Sequence, residues 1–161
     1  MLILLENRTM KRFLPCIVLF LGFALHHHNM SAQTLYSEDF DGGSLASKGF
    51  TVLNVDGLIG NTGLDGAFVG LSDSFTNNAW INSLAVGGDP CALSTSWYNP
   101  VGTSNDWLIT PPITLSGNNL KIAWQDIALD PTFADGYNLL ISPSAGNTIG
   151  SFNPTPIYST T

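Results

Sequence analysis

Glu38, Asp39 and Asp41 fall within four positions of one another, beside a turn signalled by Asp41-Gly42-Gly43. Asp126 and Asp135 flank a second loop, ahead of the apolar segment Tyr137–Ser142. Calcium takes about six to eight oxygens from carboxylates, amides and carbonyls, so dense carboxylates with few cations around them are the composition it selects. These five are the candidate calcium ligands. EF-hand spacing is absent from them, and the competing reading is a set of solvated turn residues, a role Asp fills through its own backbone hydrogen bonds. Four tryptophans offer a different chemistry, because flat rings stack on apolar surfaces, sugar faces among them. Trp97 and Trp107 lie in strand-like runs, where such rings belong to a core. Trp80 and Tyr98 lie near loops and are the ligand-binding candidates. Catalysis lacks its parts. A serine nucleophile needs a histidine base, and the histidines stand at positions 26 to 28. A glycosidase needs a carboxylate pair at a defined gap, and Glu38 is the only glutamate after residue 32. Cys91 is alone in the same stretch, which fits a small buried hydrophobe better than a reactive thiol. The chain is therefore not expected to be an enzyme.

The histidines close a segment of another kind. Met10-Lys11-Arg12 is basic, Phe13 to Leu25 is almost continuously apolar, and Met30-Ser31-Ala32-Gln33 follows. That order is the order of a secretory signal peptide. The apolar run of about 13 residues is shorter than the roughly 20 needed to span a bilayer. Residues 1–32 are expected to be a cleaved signal, with Met10 as its start and Ala32 before the cut. The product is exported, secreted or at the cell surface, with no stable membrane span. Cys16 precedes the apolar run, so it is not expected to carry lipid. Beyond the signal, eleven carboxylates face only Lys48 and Lys121, a net charge of −9. Nothing in that balance neutralises phosphates, so nucleic acid is excluded as a partner.

Residues 33–161 are long enough for one domain with a core. They are rich in Gly, Asn, Ser and Thr and poor in helix formers, which argues for β structure. Strands are expected at Thr34–Phe40, Gly49–Val55, Ala92–Tyr98, Asp106–Thr110, Leu120–Ala128 and Tyr137–Ser142. Shorter apolar islands lie at Ala67–Leu71, Ala79–Ile81, Ile113–Leu115 and Ile157–Ser159. Pro111-Pro112 must end the strand before it, because proline donates nothing to a ladder. Seven to nine short strands separated by turns make an all-β sandwich or jelly roll. The chain stops at Thr161 without a terminal turn or polar tail, so missing last strands and a larger gene product with further domains are expected.

Several of these segments form a known combination. They are Ser94-Thr95-Ser96-Trp97-Tyr98, Pro100-Val101-Gly102, Asn105-Asp106-Trp107-Leu108-Ile109-Thr110-Pro111, and Asp135-Gly136-Tyr137 ahead of Leu140-Ile141-Ser142. With the opening Glu38-Asp39-Phe40-Asp41-Gly42 and Gly49-Phe50-Thr51-Val52, they resemble the cleaved-adhesin, or choice-of-anchor J, domain of secreted Bacteroidota proteins, as in the adhesin parts of gingipains. The resemblance runs from about Tyr36 to Ser142. It implies a jelly-roll β-sandwich similar to galactose-binding and MAM-like domains, bound structural calcium, and export by type IX secretion. It also implies a role in cell adhesion or in presenting a neighbouring enzyme. The stretch Asn54–Gly60 departs from the family, with one acidic residue where many members carry an acidic, Trp-bearing loop. Two functions follow as expectations. One is an adhesin-like module contacting glycan or host and matrix protein. The other is a non-binding accessory or spacer domain of a larger secreted enzyme.

Overall fold

The computed structural model describes residues 33–61, 63–64, 74–76, 78–84 and 88–160. The signal-peptide residues 1–32, with their histidines and Cys16, and the apolar island Ala67–Leu71 lie outside the described residues. Six strands are seen among the described residues: β1 Thr51–Asn54, β2 Trp80–Leu84, β3 Pro90–Ser94, β4 Asp106–Ile109, β5 Asn138–Leu139 and β6 Tyr158–Ser159. Short 3-10 turns occupy Pro131–Phe133 and Ile149–Ser151. Gly63 and Leu64 are the only described residues in α-helical conformation. The chain is thus all-β in character. No helix among the described residues is long and apolar enough to cross a membrane.

The strands pair as three separate antiparallel ladders. β1 meets β4 with Thr51 opposite Ile109 and Asn54 opposite Asp106. β2 meets β3 with Trp80 opposite Ser94 and Leu84 opposite Pro90. β5 meets β6 with Leu139 opposite Tyr158. Local chemistry sets the ends. Pro90 sits at the first position of its strand, and Pro111 comes two residues after the end of β4, where a missing N–H breaks no ladder bond. After β1 the chain turns sharply: Asn54 Oδ1 accepts from Gly57 N at 2.6 Å and Asp56 Oδ1 from Leu58 N at 2.7 Å. Gly57 there has φ +70°, a conformation that side-chain-bearing residues rarely adopt.

The core lies under β2 and the residues before it. Leu64, Phe75 and Ile81 form one buried cluster, with Leu93 of β3 packed against it. Gly60 serves the same region, since a Cβ there would lie 2.9 Å from Phe75 Cβ. Leu45, Phe50, Tyr98 and Ile109 are buried as well.

Two expected strands do not form. Thr34–Phe40 and Leu120–Ala128 belong to no ladder, and Leu120 and Ile122 remain exposed. Alternation describes where side chains point once a strand has a neighbour; it does not supply the neighbour. Trp97 is a further correction. β3 ends at Ser94, so Trp97 lies past the ladder and is 57% exposed rather than core. Trp107 in β4 is half-buried, against Phe152 at 5.6 Å between ring centroids.

Candidate functional site

Three of the candidate metal ligands share the loop from Glu38 to Gly43, and the side chains of Glu38 and Asp39 already accept hydrogen bonds there. Glu38 Oε1 accepts from Phe40 N at 2.7 Å and from Lys48 Nζ at 2.9 Å. Asp39 Oδ1 accepts from Asp41 N at 3.0 Å. That backbone N–H holds the Asp39 carboxyl below the usual carboxylate range. The Lys48 ammonium also donates to Asp41 O at 2.8 Å, closing the loop onto the helical turn that follows it.

The loop's backbone is wound in an unusual sense. Phe40, Gly42 and Gly43 have φ of +61°, +62° and +69°. Glycine takes that conformation freely; for Phe40 it is uncommon and must be held by its surroundings. The winding turns three carbonyl oxygens toward one side chain. Asn82 Nδ2, in β2, lies 3.0 Å from Phe40 O, 3.4 Å from Gly42 O and 2.7 Å from Gly43 O. Asn82 has 0% exposure, and its Oδ1 is buried with no hydrogen-bond partner. An amide has two hydrogens, so three acceptors exceed what it can satisfy. The two arms of a carboxamide have the same shape, so the opposite placement of Asn82 would aim its oxygen at the three carbonyls and leave Nδ2 as the unpartnered atom instead. In that placement the four oxygens would form a cradle for a hard cation, with Asp41 in the same loop, whereas Glu38 is already paired with Lys48. Calcium takes about six to eight oxygens, so these four would need further oxygens to complete its shell. Asn82 had no signal in the sequence beyond being a polar residue after an apolar pair, and the chain there reads as the start of a loop.

Asp126 and Asp135 serve elsewhere. Asp135 Oδ1 accepts from Ser96 Oγ at 2.5 Å, and Asp126 Oδ2 accepts from the Tyr137 hydroxyl. Among the described residues no three His, Cys, Asp or Glu side chains are grouped to hold a metal ion.

The ligand candidates occupy inward positions. Tyr98 is buried; its hydroxyl donates to Asp106 Oδ2 at 2.5 Å and meets Ser104 Oγ at 2.8 Å. Burial and the hydrogen bond to Asp106 push the Tyr98 phenol far above its ordinary value. Burial also raises Asp106, with the nearby Asp56 carboxylate adding to the effect. Trp80 is half-buried in β2, and its Nε1 is buried without a partner.

A cluster of exposed aromatic rings lies on the other half of the chain. Trp124 and Tyr158 are 38% and 41% exposed and meet edge to face at 5.2 Å; Tyr137 lies 5.7 Å from Tyr158. A hydrogen-bond chain fixes two of the rings: Trp124 Nε1 donates to Tyr137 Oη at 2.7 Å, and Tyr137 donates to Asp126. Desolvation, and then the bond to Asp126, raise the Tyr137 phenol. This cluster joins Asp126, a candidate metal ligand, and Trp124, the fourth of the tryptophans, to two tyrosines that were not among the ligand-binding candidates. Those tyrosines sit in or beside β5 and β6, and only the pairing of these strands brings them together. Comparison with protein-family models, curated proteins and solved structures returned no match.

Proposed function

We propose that this chain is an exported, non-catalytic binding module of the adhesin type, folded as a jelly-roll sandwich and stabilised by calcium in the Asn82 cradle. Its ligand is a glycan or a host or matrix protein. The observation that carries the reading is the aromatic cluster of exposed Trp124 and Tyr158 around half-buried Tyr137, with Trp124 bonded to Tyr137 and Tyr137 to Asp126. Rigid aromatic side chains at a surface contribute large contact area at low ordering cost, which is the economy of a binding face. The calcium part rests on the three carbonyls that converge on the Asn82 amide, taken with that amide turned so that its orphan oxygen joins them.

The test is binding of the immobilised chain to a glycan array and to fibronectin and collagen, in calcium and in excess chelator. Saturable binding to at least one ligand, weakened in chelator, is expected. A cooperatively folded chain that binds nothing on either panel would overturn the reading in favour of an accessory domain. One observation favours that second function: Ile113, Leu115, Leu120, Ile122 and Ile127 are all exposed. Exposed apolar side chains repeated along one stretch of chain suit packing on a neighbouring domain.

A further inference from the structure

The aromatic face narrows its own ligand, and the narrowing rests on the binding-module reading above. We propose that Trp124, Tyr137, Tyr158 and Asp126 form a subsite for a neutral sugar ring. The surface has two chemistries side by side. Trp124 and Tyr158 offer apolar ring faces. Asp126, exposed and bonded through one oxygen to Tyr137, offers a carboxylate with acceptor capacity left over. A pyranose has the matching pair, an apolar C–H face for the ring and a rim of hydroxyl donors for the carboxylate. A purely apolar partner would cover Asp126 without replacing its water, and burying an unpaired charge is costly. An anionic sugar would meet Asp126 directly, in a chain whose residues after position 32 carry only Lys48 and Lys121 as cations. Lys48 is already held by Glu38 and the Asp41 carbonyl.

The hydrogen-bond chain gives each residue a role. Tyr137 is a positioning residue: its hydroxyl accepts from Trp124 and donates to Asp126, so it fixes the stacking ring and the acceptor in one frame. The rings are then ordered before the ligand arrives, which removes part of the entropy cost of binding.

The experiment is isothermal titration of the full chain in calcium with three probes. They are neutral oligosaccharides of glucose, galactose and mannose, the sialylated form of the galactose probe, and a lysine-rich peptide. Saturable binding of at least one neutral probe is expected, with roughly tenfold or greater weakening in W124A and in D126N. Y137F keeps every ring and should weaken binding severalfold with an unchanged far-ultraviolet spectrum, so a folding defect in W124A leaves the proposal testable. V101S, at an exposed apolar position in another loop, should bind as wild type. Binding of the sialylated probe or the peptide alone, lost in W124A, would overturn the neutral-sugar assignment while leaving the binding-module reading standing. Neutral-sugar binding untouched by W124A, D126N and Y137F would overturn the site. Absence of binding to all three probes, with fibronectin or collagen bound, would overturn the sugar class; absence of binding to every one of these would sink both readings.

Discussion

Asn82→Ala and Asn82→Asp together test whether the loop from Phe40 to Gly43 is organised around one buried side chain. In the wild type the Asn82 amide holds Phe40 O at 3.0 Å and Gly43 O at 2.7 Å, from a position with no exposure. Alanine removes both donors. A buried acceptor left unpaired costs about 1–3 kcal/mol. Gly43 is exposed and water reaches its side of the loop, so each loss belongs near the lower end. With the small void left by the missing amide, N82A should lose about 2–4 kcal/mol. At roughly 4 °C per kcal/mol for a domain of this length, that is a fall in Tm of about 8–16 °C in chelator. Aspartate has the same shape but no hydrogens to donate, and its charge faces carbonyl oxygens. N82D should therefore fall at least as far in chelator. In millimolar calcium the sign reverses for N82D only, since its carboxylate becomes the strongest ligand of the cradle and a cation bound only to the native state stabilises it by mass action. Thermal unfolding followed by circular dichroism reads both arms. An N82A midpoint within about 2 °C of wild type would show that the loop does not depend on this amide. An N82D loss of equal size with and without calcium would remove the cation from the cradle.

Other perturbations have equally definite outcomes. Ile81→Ala empties the cluster with Leu64 and Phe75 and should cost about 2–5 kcal/mol, read as a lower urea midpoint at unchanged slope. Trp107→Ala, at a half-buried ring packed on Phe152, should cost less than a fully buried tryptophan, about 2–3 kcal/mol. A loss below 0.5 kcal/mol would mean the groove between Trp107 and Phe152 contributes no packing. Asp106 has its folded pKa raised, so at neutral pH its charged form weighs against the fold. Its contribution to stability therefore improves as pH falls from neutral through that raised pKa, and it levels off below the ordinary carboxylate range. Asp106→Asn removes the titration, so the Tm difference between wild type and variant should shift in favour of wild type as pH falls from 7 to below the ordinary carboxylate range. A difference independent of pH would refute the linkage.

How much of this was legible beforehand depends on what kind of interaction made each feature. Strands β1, β4 and β5 lie within segments whose β-branched and aromatic residues already read as strands, and Pro111-Pro112 marked the end of β4. The failures at Thr34–Phe40 and Leu120–Ala128 share one cause. A ladder needs a partner in register, and no pattern within a single segment carries that information. Trp97 failed for the same reason, because β3 lost its partner after Ser94.

The candidate site follows the same logic at finer scale. The carboxylates at 38, 39 and 41 were visible as types, and so was the turn they flank. What makes the place a cradle is main-chain oxygen, wound inward by left-handed residues, and one asparagine about forty positions away. Carbonyl groups have no letter in a sequence, so a site built from them is invisible until the backbone is seen. The acidic residues then change standing. Glu38 and Asp39 spend their oxygens on backbone N–H groups and Lys48, which shapes the loop, and the shaped loop presents the carbonyls. On this argument Glu38 acts on a cation through geometry as much as charge. Glu38→Gln, which keeps an acceptor for Phe40 N and gives up the ion pair with Lys48, should then retain most of the calcium-dependent rise in Tm, whereas Glu38→Ala should lose it. Equal loss in the two variants would return Glu38 to the rank of a direct charge ligand and would make the backbone winding a consequence of the metal rather than its preparation.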